Sequence, residues 1–138
     1  MGWKSYSRGD YADLPTDDLD LENTYTGLDL LNIASEDVSW VLQPATDSYT
    51  IHQYKDYIAV NRVTLTWIGQ SNIAPSIANV VLEIYKYAEP AGWEARATKS
   101  DGLADIDFTL TADILSLTDY KNPSGIVTCR VYQFATAG

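Results

Sequence analysis

The stretch from Val60 to Tyr87 alternates apolar and polar residues with a period of two, and this pattern constrains the fold more than any other feature. In its first half threonines separate three bulky apolar residues, Val63, Leu65 and Trp67. In its second half one apolar face is predicted, made of Val80, Leu82 and Ile84. Because side chains along a strand point alternately to its two faces, the pattern predicts two β-strands joined by a loop. Trp67 is expected to fill the middle of a two-sheet core.

Short alternating runs separated by turn residues continue on both sides of this stretch. The predicted strands are 38–42, 49–53, 57–67, 78–87, 93–97, 106–111 and 126–134, while 114–120 fits either a strand or a helical turn. Turn signals every dozen or so residues are typical of an antiparallel sandwich, so the prediction is an all-β fold, an antiparallel β-sandwich of about eight strands. Both faces of 126–134 carry apolar groups, which indicates a strand that is central or covered by another subunit.

The first 37 residues differ in composition from the rest. They contain nine acidic residues against Lys4 and Arg8, which accounts for −7 of the net charge of −10. They show no sustained strand alternation, so we expect an extended N-terminal docking arm at 1–37, with a helical turn near 29–34, and a β-sandwich domain at 38–138. The alternative is a mobile acidic tail. Spaced aromatic and leucine residues favour an arm that contacts a neighbouring subunit, and the assembly residues predicted are Trp3, Tyr6, Tyr11, Leu14, Leu19 and Leu21.

Length and charge exclude several classes of function. A chain of 138 residues suits one domain. A net charge of −10 argues against nucleic acid and against an anionic membrane as partners. The start of the chain lacks the apolar core of a signal peptide, and no apolar run approaches the roughly 20 residues of a membrane span. The expected site of synthesis is therefore a cytoplasm.

Catalytic and metal-binding residues are sparse. His52 is the single histidine and Cys129 the single cysteine, so neither a nucleophilic triad nor a zinc site is indicated. Glu83 and Glu94 would suit a glycosidase if both faced one cleft, but their spacing does not single them out. We predict no enzyme activity, no cofactor and no metal. A surface calcium ion stays open as an alternative at two acidic clusters, Asp18, Asp20 and Glu22, and Asp101, Asp105 and Asp107.

Tyrosine and tryptophan are the more informative side chains. Tyr85 and Tyr87 are predicted to point away from the apolar face of their strand, and Trp93 follows the next turn. Such a strip could stack on the apolar face of a sugar ring or pack against a second copy of the chain. A third interpretation places these rings in a second layer of the core or under the N-terminal arm.

Five segments carry a resemblance to a known domain type. They are LTWIGQS (65–71), VVLEIY (80–85), WE (93–94), DFTLT (107–111) and VTCRVYQ (127–133). With them, residues 60–133 resemble a domain seen in tailed-phage (bacteriophage) structural proteins and related surface proteins. The resemblance implies a jelly-roll-like β-sandwich that decorates a capsid, tail or fibre, or that mediates adhesion. It rests on core patterns and brings no site residues with it.

These observations predict a non-enzymatic virion structural protein, a capsid-decorating, tail or fibre subunit that assembles through its N-terminal arm. Its expected partners are further copies of itself and other virion proteins, with no nucleic acid and no membrane. It would be located in the virion and made in the host cytoplasm without a signal peptide. The alternative is a carbohydrate-binding or adhesive surface module that uses exposed tyrosine and tryptophan.

Overall fold

A computed structural model of the chain shows an all-β architecture. The residues that it describes are 4–11, 13–24, 49–69, 71, 73–106 and 108–134. Regular structure within these ranges consists of strands alone. The strands are β1 (Lys4–Tyr11), β2 (Asn23–Thr24), β3 (Tyr49–Tyr57), β4 (Val63–Gly69), β5 (Val80–Lys86), β6 (Gly92–Lys99), β7 (Phe108–Ile114) and β8 (Ile126–Phe134).

The strands form two antiparallel sheets. Six of them lie in the order β2-β1-β3-β8-β5-β6, and β4 pairs with β7 in a two-stranded sheet. Every pairing is antiparallel. Of the two alternatives predicted for the last strand, a central position or cover by another subunit, the structure shows the central position, because β8 lies between β3 and β5. The arrangement of two sheets is consistent with a β-sandwich.

The core lies between the two sheets. It contains Leu65 and Leu110 from the smaller sheet and Val80, Leu82, Ile84, Val127 and Val131 from the larger one. The alternation predicted for β5 is therefore confirmed, because Val80, Leu82 and Ile84 are all buried in this cluster. Trp67 packs against the cluster but is only half-buried. Its indole Nε1 donates to the Tyr54 hydroxyl at 3.1 Å, so it links the two sheets beside the core centre and does not fill it.

One predicted strand is divided in the structure. The alternation indicated a strand at 57–67, but β3 ends at Tyr57 and β4 begins at Val63. The chain changes sheets here, because β3 belongs to the larger sheet and β4 to the smaller. Residues 49–57 then form one strand longer than the predicted 49–53. The predicted strand 38–42 and the helical turn near 29–34 lie outside the described residues.

The beginning of the chain also differs from the prediction. Lys4–Tyr11, assigned to an arm outside the body, is strand β1 of the six-stranded sheet. All eight of its residues pair with β3, from Lys4 opposite Asp56 to Tyr11 opposite Tyr49. A strand that is hydrogen-bonded on its long side to β3 is part of the body. The predicted boundary at 37/38 lies outside the described residues.

Loops join the two sheets at each end of the molecule. At one end the Asp105 amide donates to the Ser71 carbonyl at 2.7 Å, which connects the β6–β7 loop to the β4–β5 loop. We call this the Ile77 end, made of 71, 73–79 and 100–106. At the opposite end the Leu117 amide donates to the Asn61 carbonyl at 2.9 Å. We call this the Val60 end, made of 57–62 and 115–125.

Candidate functional site

The three aromatic residues predicted as a contact surface lie together on one face of the large sheet. This outer face is the one that points away from β4 and β7. Tyr85 and Trp93 are opposite each other in the β5–β6 register, and their ring centroids are 5.2 Å apart in an edge-to-face arrangement. The Tyr87 ring lies 4.8 Å from that of Tyr85. All three are half-buried, so the cluster is part of the surface and is packed from below. Their use as a glycan or subunit contact stays a prediction.

Arg130 is the centre of this face, and no sequence pattern singled it out. It is 3% exposed, and its Nε donates to Glu83 Oε1 at 2.7 Å. Its guanidinium carbon lies 4.1 Å from the Trp93 ring centroid and 5.7 Å from that of Tyr132. Burial lowers the pKa of Arg130, and the Glu83 carboxylate acts in the opposite direction. The ion pair with Glu83 therefore stabilises the charged form of Arg130 at a buried position that would otherwise disfavour it.

The aromatic groups form a continuous row across the outer face through Arg130. On the far side of the arginine, Tyr132 meets Tyr49 edge-to-face at 5.9 Å. Tyr49 and Tyr132 also line a shallow hollow with a volume of 400 Å³, together with Ile77, Ala78, Asn79 and Val81. We call the five rings and the arginine the aromatic row; its members are Tyr49, Tyr132, Arg130, Trp93, Tyr85 and Tyr87.

A stretch of the N-terminal region crosses the outer face over part of this row. We call residues 13–22 the crossing segment. At its start the Pro15 carbonyl accepts from Arg130 Nη1 at 2.7 Å, and the Asp17 carbonyl accepts from Trp93 Nε1 at 3.0 Å. The Tyr87 hydroxyl donates to Asp18 Oδ2 at 2.7 Å. The acceptors for Arg130 and Trp93 are backbone carbonyls, which are present whatever the side chains are, so sequence patterns do not reveal these two contacts.

The crossing segment continues over β3 to β1. Gln53 is 1% exposed, and its side-chain nitrogen donates to the Leu19 carbonyl at 2.8 Å. Lys55 pairs with Asp20 at 2.9 Å, and the Leu21 amide donates to Ser7 Oγ at 2.9 Å. The outer face of the central strands is thus polar where the segment lies on it. The contact on the outer face of β8 comes from this chain itself, from residues 13–22, and not from another subunit as the alternative prediction had it.

Most of the predicted assembly residues make contacts within the chain. The Tyr6 ring packs edge-to-face on Tyr54 at 5.1 Å. The Tyr11 hydroxyl accepts from the Glu22 amide at 2.8 Å, and Leu21 is 6% exposed. Leu14 is half-buried, whereas Leu19 is 68% exposed and so available for an external contact. Trp3 lies outside the described residues.

Neither Cys129 nor the pair Glu83 and Glu94 has the arrangement that the catalytic roles considered for them require. Burial and the nearby Asp56 raise the pKa of Cys129 to about 12, which disfavours the nucleophilic thiolate. Glu83 and Glu94 lie on opposite faces of the sheet, because Glu83 reaches Arg130 on the outer face whereas Glu94 is opposite the core residue Ile84. These two carboxylates therefore do not face one cleft as a glycosidase pair would.

The acidic clusters considered for calcium are also used in other contacts. Asp18 accepts from Tyr87, Asp20 pairs with Lys55, and Glu22 accepts from the Asp10 amide at 3.1 Å. Asp101 pairs with Lys99 at 2.9 Å, and Asp107 lies outside the described residues. Within the described ranges, no group of three or more histidine, cysteine, aspartate or glutamate side chains is placed to hold a metal ion.

Comparisons with protein-family models, with curated proteins and with solved structures found no match for the chain. The resemblance to a tailed-phage domain therefore stays a prediction from the residues. In the part of the chain that the structure describes, no helix has the length and apolar character needed to cross a membrane.

Proposed function

We propose that this chain is a non-enzymatic structural subunit of a virion, of the capsid-decorating, tail or fibre type, built as a jelly-roll-like β-sandwich. The observation that carries the proposal is that the buried polar side chains of the body hold its own elements together. Buried Arg130, Glu83 and Gln53 hold strands and the crossing segment together. Buried polar groups used in this way suit a structural role, in which contacts with other subunits are made through the surface of the body.

The net charge of −10 supports the same proposal. An acidic surface avoids the nucleic acid that fills the surroundings of an assembling particle. The outermost strand β6 also resists uncontrolled pairing, because its register with β5 shifts between Leu82 and Glu83 and Arg96 is exposed there. Bulges and charges on edge strands suppress edge-to-edge aggregation, which matters for a protein made in many copies.

Assembly through the N-terminal segment belongs to this proposal. The contacts of β1 and the crossing segment with the body are non-covalent, so an equivalent segment of a neighbouring subunit could make them by exchange. A cysteine pair at Asp10 and Thr50, which are opposite in the β1–β3 register, distinguishes the two arrangements in a Cys129→Ser background. Oxidation to a linked dimer on a denaturing gel indicates exchange between subunits. Oxidation to a compact monomer shows that the segment stays on its own chain, and it overturns assembly by this route.

The virion proposal is tested on particles. Virions purified by density gradient should contain the chain at a fixed copy number relative to the major capsid protein, measured by quantitative mass spectrometry. A chain that is abundant in the lysate and absent from purified particles contradicts the proposal.

A second function is favoured by the aromatic row. Edge-to-face rings on a polar sheet, with the 400 Å³ hollow at one end, supply the stacking surface that a sugar ring needs. The test is a glycan array with the full chain, followed by Tyr85→Ala on any glycan bound. Tyr85→Phe is the matched control, because it keeps the ring. Loss of binding in Tyr85→Ala with retention in Tyr85→Phe supports stacking, and an array without binding rejects this second function.

A further inference from the structure

The exposed apolar side chains of the body are concentrated at its two ends. Among the described residues, seven large hydrophobic side chains are exposed, and one of them, Leu19, belongs to the crossing segment. Three lie at the Ile77 end, namely Ile77 (74% exposed), Leu103 (73%) and Ile106 (58%). The other three lie at the Val60 end, namely Tyr57 (45%), Val60 (60%) and Leu115 (74%).

The two sets are on opposite ends because of the strand registers. In the small sheet Val63 is opposite Ile114 and Gly69 is opposite Phe108. Residues just before β4 and just after β7 are therefore at one end, and those just before β7 are at the other. A strand of this length separates the two ends by about 20 Å.

Apart from Tyr57, which is the last residue of β3, these six residues lie in loops, and that makes them unusual. Tight loops are normally built from glycine, proline, asparagine, aspartate and serine, which meet the conformational needs of a turn. Isoleucine and leucine at loop tips have no such role, and single apolar residues scattered on a surface would not be confined to two places. The side chains are therefore suited to contact with another protein surface.

The partner that accounts for both ends is a second copy of the chain. A dimer with a two-fold axis covers the same end of both copies and leaves the other end exposed. A head-to-tail contact covers the Ile77 end of one copy and the Val60 end of the next, so every apolar tip is buried once the array continues or closes.

Charge supports the same pairing. The loop that carries Leu103 and Ile106 also carries the exposed carboxylates of Asp101 and Asp105, with Asp101 paired to Lys99. In the loops that carry Val60 and Leu115 the two cations, Arg62 and Lys121, outnumber the one carboxylate, Asp119. The Lys121 Nζ donates to the Val60 carbonyl at 2.6 Å. Opposite signs at facing loops favour the correct orientation of encounter.

We propose that copies of this chain associate head to tail, with the Ile77 end of one copy against the Val60 end of the next. The inference rests on the proposed function as a structural subunit and specifies how its copies meet. Head-to-tail contacts of this kind build a ring where the rotation closes and a filament where it does not.

Two double variants and one control test the arrangement. Ile77→Asp with Leu103→Asp disables the first end, and Val60→Asp with Leu115→Asp disables the second. Thr66→Asp is the control, since Thr66 is exposed in the middle of β4 and lies at neither end. All five substituted positions are exposed, so each variant should keep the far-UV spectrum and melting temperature of the wild type to within a few degrees.

Sedimentation of the full chain over a range of concentrations gives the readout. Wild type and Thr66→Asp should both form species larger than a monomer, whereas each double variant alone should stay monomeric. An equimolar mixture of the two double variants should form a one-to-one dimer and nothing larger, because each variant keeps the end that the other has lost.

Three outcomes overturn the inference. One is a wild type that stays monomeric at every concentration. Another is a mixture that remains monomeric although the wild type assembles. The last is assembly that is lost in one double variant and retained in the other, as a two-fold contact requires. The presence of the chain in purified virions is measured independently, so a failure here is distinct from a failure of the proposed function.

Discussion

Arg130 lies over the indole of Trp93, with its guanidinium carbon 4.1 Å from the ring centroid. Through this stacking, the central strand β8 contacts the outermost strand β6 across β5, which separates them in the sheet. The same guanidinium binds Glu83 on β5 and the Pro15 carbonyl of the crossing segment. One side chain thus joins three strands and the N-terminal region. Its removal should therefore weaken the packing of all of these elements against one another.

We expect Arg130→Met to be strongly destabilising. It removes one member of a buried ion pair and leaves the Glu83 carboxylate, whose side chain is 12% exposed, without its partner. Such a loss typically costs about 3–5 kcal/mol in the free energy of unfolding. The double variant Arg130→Met with Glu83→Leu should recover most of it, because no unpaired charge remains. Urea unfolding of the three proteins provides the measurement.

The exposed pair Arg96–Glu94 is the matched control for that experiment. Its side chains are 33% and 38% exposed, so water screens the interaction. Arg96→Met should change the free energy of unfolding by no more than about 1 kcal/mol. Similar effects at Arg96 and Arg130 would mean that Arg130 does not have the structural role assigned to it.

We expect Tyr87→Phe to loosen the crossing segment. The Tyr87 hydroxyl is hydrogen-bonded to Asp18 Oδ2 and to Thr128 Oγ1, both at 2.7 Å. Loss of a hydrogen bond of this kind costs about 1 kcal/mol, and it should appear as faster hydrogen exchange of the Leu21 amide, which donates to Ser7. Tyr57→Phe removes a hydroxyl that is not part of these contacts and should leave that exchange rate unchanged. Equal rates in wild type and Tyr87→Phe would contradict the role of the bond.

The fold could be predicted from the sequence where one face of a strand is apolar. β5 is such a strand, because Val80, Leu82 and Ile84 alternate with less buried residues and all three enter the core. β1 is different, because Arg8 and Asp10 on one face and Ser7 and Gly9 on the other give no apolar periodicity. Its strand conformation comes from pairing with β3, which a local pattern does not contain.

The residues of the candidate site also differ in whether they could be predicted from the sequence. Tyr85 and Tyr87 could be grouped by their spacing along one strand, and Trp93 by the turn that precedes it. Arg130 could not, because its partner Glu83 is 47 residues away in the chain and Pro15 is 115 residues away. A central arginine on a polar face of a strand is recognisable only once the strands that flank it are known.

We expect Cys129 to resist alkylation in the folded protein. Burial and Asp56 raise the pKa of its thiol from an ordinary value of 9.0 to about 12. The fraction present as thiolate near neutral pH is then about a thousandfold below that of an ordinary thiol. Iodoacetamide at pH 8 should label the unfolded chain within minutes and the native chain far more slowly, as followed by intact mass. Rapid labelling under native conditions would show that the thiol is accessible and ionised.

We expect stability to fall in alkaline solution through Tyr6 and Tyr87. Burial is the first cause that raises the pKa of each above the ordinary value of 10.0, with Asp56 acting on Tyr6 and Asp18 on Tyr87. Above pH 10 the unfolded chain therefore loses these protons while the native state keeps them. The stabilising contribution is complete below pH 10, and it declines by about 1.4 kcal/mol per pH unit for each tyrosine as pH rises towards the native pKa.

Tyr6→Phe isolates one of the two contributions. The variant lacks the hydrogen bonds of 3.0 and 3.1 Å from the Tyr6 hydroxyl to Asp56, so it should be less stable than wild type at pH 8. Its free energy of unfolding should then fall less steeply between pH 10 and 11, since one titrating group has been removed. Urea unfolding at half-unit pH intervals gives both slopes, with Tyr57→Phe as the control for loss of a hydroxyl. Parallel curves for wild type and Tyr6→Phe would show that the Tyr6 proton does not couple to folding, because a titrating group that differs between the two states must change the slope.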